Sequence, residues 1–82
     1  MRYAIRMADG AERDMRKLSR QMRRRVTEKL ERLADGLTGD VKRLREFTPA
    51  YRLRVGDWRV LFDVEGDTIM VHHVSHRSQA YD

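Results

Sequence analysis

Two alternating runs, Tyr51-Arg52-Leu53-Arg54-Val55 and Trp58-Arg59-Val60-Leu61-Phe62, flank Gly56-Asp57, and this pattern restricts the fold more than any other stretch of the chain. Side chains alternate across a strand, so Tyr51, Leu53 and Val55 share one face and Arg52 and Arg54 the other. A two-residue loop in which Gly56 supplies the positive φ of a type II′ turn fixes the register of a hairpin. Val55 then opposes Trp58, Leu53 opposes Val60, Tyr51 opposes Phe62, and Arg54 opposes Arg59. Like charges directly opposite on a sheet cost about 0.2–1 kcal/mol, a conflict that an anionic ligand would resolve. The plainer account is that the two long side chains splay into water. Either way, Arg52, Arg54 and Arg59 are expected on a solvent-side face suited to phosphate.

The 82 residues make a single domain, 1–82, with a small core that buries about 60–65% of the surface its unfolded chain would expose. Cysteine is absent, which excludes disulfides and thiolate metal sites. No apolar run is long enough to span a bilayer, and Met1-Arg2-Tyr3-Ala4-Ile5-Arg6 is too short and too charged for a signal peptide. A cytoplasmic protein without a membrane partner is expected. The net charge is +5, and Arg16, Lys17, Arg20, Arg23, Arg24 and Arg25 fall in a stretch that contains no acid. That run reads as a solvated helical face that can also contact nucleic acid. With 13 acidic residues the chain should fold instead of acting as a disordered basic tail.

Along the chain, Tyr3, Ile5 and Met7 alternate as a first strand. Asp9 followed by Glu12 resembles a capping box, and Ala11, Met15 and Leu18 give the short helix after it one apolar stripe. Ser19 is placed to cap a second helix with stripe Met22, Val26, Leu30, Leu33 and Leu37, and Gly36 is placed to end it. Val41 to Phe47 reads as a short edge strand closed by Thr48-Pro49. The hairpin then continues through a second tight turn at Gly66-Asp67 into Thr68 to Ser75. In that register Val64 meets Ile69 and Phe62 meets Val71, giving a meander with one apolar face for the helices.

The closing segment places His76, Arg77 and Tyr81 within a few residues of one another. RNA can be cut without a metal when its own 2′-OH is deprotonated, the phosphorane charge is stabilised and the 5′ oxygen is protonated. Guanidinium groups suit the second task, and His76 or Tyr81 the first or third. The plainer reading makes Tyr81 core, His76 a strand end and Arg77 a solvated side chain. His72, His73 and His76 do not read as a metal site, because adjacent residues of a strand point apart and no other ligand is suitably spaced. Trp58, beside the turn, fits the rim of the core and also offers a face on which a base can stack.

The order strand, two helices, meander, with the run from Tyr51 to Val60 and the closing His76-Arg77-Ser78-Gln79-Ala80-Tyr81, resembles the RelE/ParE superfamily of type II toxin-antitoxin toxins, on the RelE side. The resemblance covers essentially the whole chain. It implies an α+β fold: an N-terminal strand, a two-helix antiparallel hairpin, then a curved antiparallel meander of three to four strands. It also implies a cofactor-free toxin that enters the ribosomal A site and cleaves mRNA there. The free toxin would be monomeric and would form higher-order assemblies with a cognate antitoxin. Carried over by position, Arg52 and Arg54 bind RNA phosphates, and Arg59 and Arg77 stabilise the transition state. Tyr81, with His76, moves protons, and Arg16 to Arg25 contact the ribosome. Some members carry lysine where this chain has Arg52 and Arg54, and another arginine where it has Ser75 and His76. Arginine binds charge but does not act as a base, which directs attention to Tyr81 and His76. Two alternatives stand beside this one: a ParE-like gyrase inhibitor without nuclease activity, and a degenerate module that only binds antitoxin.

Overall fold

A computed structural model describes residues 1–46 and 48–79. Its elements are β1 (Ala4–Met7), α1 (Asp9–Lys17), α2 (Arg20–Leu33), β2 (Val41–Arg43), β3 (Tyr51–Val55), β4 (Trp58–Glu65) and β5 (Thr68–His76). The strands form one mixed sheet in the order β1-β5-β4-β3-β2. β2 to β5 are an antiparallel meander, as the turn signals at Gly56-Asp57 and Gly66-Asp67 require. β1 lies parallel to β5, with Ala4 beside Thr68 and Met7 beside Val71. The first strand and β2 thus occupy opposite edges, and the two helices carry the chain between them across one face.

Sequence signals account for both ends of α2. The Ser19 hydroxyl accepts from the Met22 N–H at 3.1 Å and starts α2. The Arg23 guanidinium donates to the Leu18 carbonyl at 3.0 Å and closes the turn between the helices. The capping box expected at Asp9 is absent. Ala8 occupies the N-cap position without a side-chain bond, and Asp9 and Glu12 sit in the first turn, where their charge favours the helix N-terminus. After α2, Gly36 and Leu37 take φ values of 74° and 60°, and the Leu37 N–H returns to the Leu33 carbonyl at 2.9 Å. β2 is shorter than the strand expected from Val41 to Phe47, because the Leu44 N–H turns back to the Ala50 carbonyl at 2.7 Å. Phe47 itself lies outside the described residues.

The core forms between the helices and the face of the meander read as apolar. Val26, Leu30 and Leu33 of α2 and Ala11 of α1 meet Leu53, Val55, Val60, Phe62, Ile69, Val71 and Val74. Tyr51 stacks on Phe62 with centroids 5.4 Å apart, as their register demands. One feature of β5 was not visible in the pattern. The ladder steps from Leu61–His73 to Phe62–Val71, leaving His72 as the extra residue of a bulge. The bulge shifts the alternation by one, and so Ile69, Val71 and Val74, which do not share parity, are all buried. α1 approaches closely here: a Cβ on Gly10 would lie 3.2 Å from the His72 carbonyl oxygen. Among the described residues, no helix is long and apolar enough to cross a membrane.

Candidate nucleic-acid site

The β3–β4 hairpin has the expected register throughout, with Val55 opposite Trp58, Leu53 opposite Val60 and Arg54 opposite Arg59. Gly56 supplies the positive φ, at 59°. The environment of the arginines differs from the expected solvent face. Arg54 is exposed, but Arg52 and Arg59 are only 7% and 2% accessible. Arg59 Nη1 donates to the carbonyls of Gly56 (2.9 Å) and Trp58 (3.0 Å), so its guanidinium folds back beneath the turn. Carbonyl oxygens thus face part of the Arg59 charge at the turn. Arg52 Nη1 reaches the Asp40 carbonyl (3.2 Å) and carboxylate (3.4 Å). The same Asp40 carbonyl accepts the Arg54 N–H at 3.0 Å, so Arg52 helps to hold the strand that carries Arg54.

Leu61, across from Arg52, is also buried, as is Leu44 in the loop after β2. That loop is pinned to the sheet by the Ala50 N–H on Asp63 Oδ1 at 2.7 Å. Alternation placed Arg52, Arg54 and Arg59 on the face away from the apolar one, but it carried no information about what else packs there.

Arg77 approaches the same turn from the end of β5. Its N–H donates to the Asp57 carbonyl at 2.7 Å, and its Nε lies 3.9 Å from Asp57 Oδ1 with the side chain well exposed. Arg25 of α2 arrives from the other side: a Cβ on Gly56 would stand 3.7 Å from Arg25 Nη2. The Gly56-Asp57 turn therefore has four arginines about it, Arg25, Arg54, Arg59 and Arg77, of which Arg77 is drawn to the Asp57 carboxylate. Local sequence could not place Arg25 there, because the contact joins α2 to a turn about thirty residues later. Of the other residues of the basic run, Arg16, Lys17, Arg20 and Arg24 are exposed, while Arg23 is engaged at Leu18.

His76 does not join this group. It pairs with Trp58, and paired residues share a face, so it stands on the helix side of the sheet, edge-to-face on the indole at 5.4 Å. Its Nδ1 lies 3.3 Å from the Ser78 N–H and 3.1 Å from the Ser78 hydroxyl. A backbone N–H can only donate, so Nδ1 accepts and the proton of the neutral ring is on Nε2. Tyr81 lies outside the described residues. His72 and His73 turn to separate acids, Asp63 at 3.3 Å and Asp14 at 3.6 Å. Among the described residues, no three potential metal ligands converge.

The sequence matches, over residues 5–81, the family described as ParE toxin of type II toxin-antitoxin system, parDE. It is 42% identical over 43 residues to toxin RelE3 of Methanocaldococcus jannaschii, a stretch that is 52% of this chain and 49% of that protein. The chain thus spans about half the length of this curated relative. Among solved structures, the toxin-antitoxin complex RelBE2 of Mycobacterium tuberculosis contains a similar chain, with a TM-score of 0.81 at 27% identity, covering 94% of this chain and 100% of that one. The RelE-RelB complex of Pyrococcus horikoshii OT3 gives 0.78 at 26% identity, covering 98% and 100%. The RelB-RelE complex of Methanococcus jannaschii gives 0.73 at 28% identity, covering 88% and 89%.

Proposed function

Because the chain belongs to the ParE toxin family of type II toxin-antitoxin systems, within the RelE/ParE superfamily, we propose that it is a ribosome-dependent mRNA endonuclease of the cytoplasm, neutralised by a cognate antitoxin. The observation that carries this reading is the set of four arginines around Gly56-Asp57. Guanidinium groups remain charged and bind two phosphate oxygens at once, and donors fixed before the reaction lose nothing to reorganisation. In the proposed step the 2′-oxygen of the mRNA attacks the adjacent phosphorus and the bond to the 5′ oxygen breaks. The products are a 2′,3′-cyclic phosphate and a 5′-hydroxyl end, with one proton removed from the 2′-OH and one delivered to the leaving oxygen.

Arg54 and Arg77, both exposed, take the phosphate oxygens, and Arg59 supplies fixed positive potential from beneath the turn. Arg52 acts as a positioning residue through Asp40 rather than as a direct phosphate ligand. Proton transfer falls to Tyr81, since His76 is on the opposite face. The exposed residues of the basic run face the ribosome.

The test is cleavage of mRNA on programmed ribosomes. Arg77→Ala and Tyr81→Phe are each expected to lower the rate by about 10²–10³-fold, with unfolding midpoints unchanged for the exposed Arg77. Unaltered cleavage in both variants would refute the mechanism. The family description by its ParE members favours a second reading, inhibition of DNA gyrase without catalysis. Growth arrest with intact mRNA and trapped gyrase cleavage complexes would establish that reading instead.

A further inference from the structure

Between the last turn of α1 and the end of β5 lies a cavity of about 180 Å³ on the helix side of the sheet, bordered by Asp14, Lys17, Leu18, Trp58, His76 and Gln79. Its volume corresponds to about six water molecules and is well below the roughly 300–1,000 Å³ of drug-sized sites. It has room for one flat ring system. The Trp58 indole, half-buried against the core, supplies an apolar wall, and the His76 ring stands edge-on to it.

The polar groups are of mixed character. His76 offers an Nε2–H, because Nδ1 is occupied by Ser78, and Lys17 offers an ammonium. Gln79 brings one donor and one acceptor function. Asp14 brings a carboxylate, held in place by the Val74 N–H on its Oδ2 at 2.9 Å. A phosphate would meet that carboxylate unfavourably. A neutral heteroaromatic ring with donors and acceptors alternating along its edge satisfies every group present. The surrounding surface is basic, with Arg16, Lys17 and Arg20 exposed and Arg77 next in the chain after His76, so the ring's natural carrier is a polyanion.

We propose that this cavity binds a nucleobase of single-stranded RNA, with Trp58 as the apolar wall against the ring and Gln79 reading its edge. The proposal rests on the nucleic-acid reading of the family site and adds a base-binding subsite on the opposite side of the sheet. Contact with an aromatic side chain strengthens base binding by roughly ten- to a hundredfold, and glutamine can read a base edge through two hydrogen bonds.

Trp58 is the only tryptophan in the chain, so its fluorescence reports on the cavity directly. Antitoxin-free full-length protein would be titrated with the four ribonucleoside 5′-monophosphates and with ribose 5-phosphate. A saturable change is expected with the nucleotides and none with ribose 5-phosphate. Gln79→Ala and Lys17→Ala, both at exposed positions, are expected to weaken binding at least fivefold. An equal response to ribose 5-phosphate, no saturable response, or indifference to both substitutions would overturn the proposal. So would amide shifts at the cavity that follow antitoxin peptides but not nucleotides, which would make this a protein-binding pocket. Ribosomal cleavage measured on the same preparation separates the two readings. Nucleotide binding without cleavage would sink the nuclease reading and leave the pocket standing, whereas cleavage without nucleotide-dependent fluorescence would do the reverse.

Discussion

Replacing Arg59 by methionine separates the two roles that its position allows. The guanidinium is 2% exposed and donates to two carbonyls, at 2.9 and 3.0 Å. Hydrogen bonds from a charged donor contribute about 1.5–3 kcal/mol each, so these two together supply about 3–6 kcal/mol. Methionine has similar length, fills the space and removes the desolvation cost of a buried charge, which returns about 1–2 kcal/mol. Water can also reach the Gly56 carbonyl at the exposed turn. The net loss is about 1–5 kcal/mol, a large share of the roughly 4–12 kcal/mol available to a domain of this length. In thermal unfolding followed by circular dichroism, the midpoint should fall by at least about 4 °C. Loss of activity alone would not distinguish the roles, because a destabilised chain also cleaves poorly. A variant as stable as wild type would refute the reasoning, because the back-bonds would then contribute little to the fold.

Two further substitutions test the local geometry. Ser19→Ala removes the cap of α2 and should cost about 1 kcal/mol, read as a lower urea midpoint with unchanged slope. Gly56→Ala meets nothing closer than Arg25 at 3.7 Å, so its cost comes from the backbone alone at φ 59°. At least about 1–2 kcal/mol is expected, read as a lower unfolding midpoint, because a Cβ is disfavoured at positive φ.

The hairpin was legible because two independent signals agree on it, the alternation of Tyr51 to Phe62 and a glycine where the turn needs positive φ. The Ser19 cap was legible for the same reason, a local side chain beside a local donor. The burial of Arg52 and Arg59 was not, because a period of two assigns a face and says nothing about what covers it. The parallel placement of β1 was equally hidden: its partner β5 lies at the other end of the chain, and no turn joins them. For His76 the obstacle was parity. Counted straight from the buried Val71, it falls on the arginine face, and only the extra residue at the bulge sends it to the helix side.

That extra residue also bears on how such a chain can change over generations. With it, Ser75 lies beside Arg59, and the next residue of the same parity is Arg77; a strand straightened at constant length would set Val74 beside Arg59 and send His76 to that side and Arg77 to the other. Loss of the His72 codon would do neither, because it removes the unpaired residue and leaves Ser75, His76 and Arg77 on their present sides. A one-residue gap at this point between relatives is therefore silent for the residues that follow it. Equal length, in turn, does not guarantee that the same residues share a face.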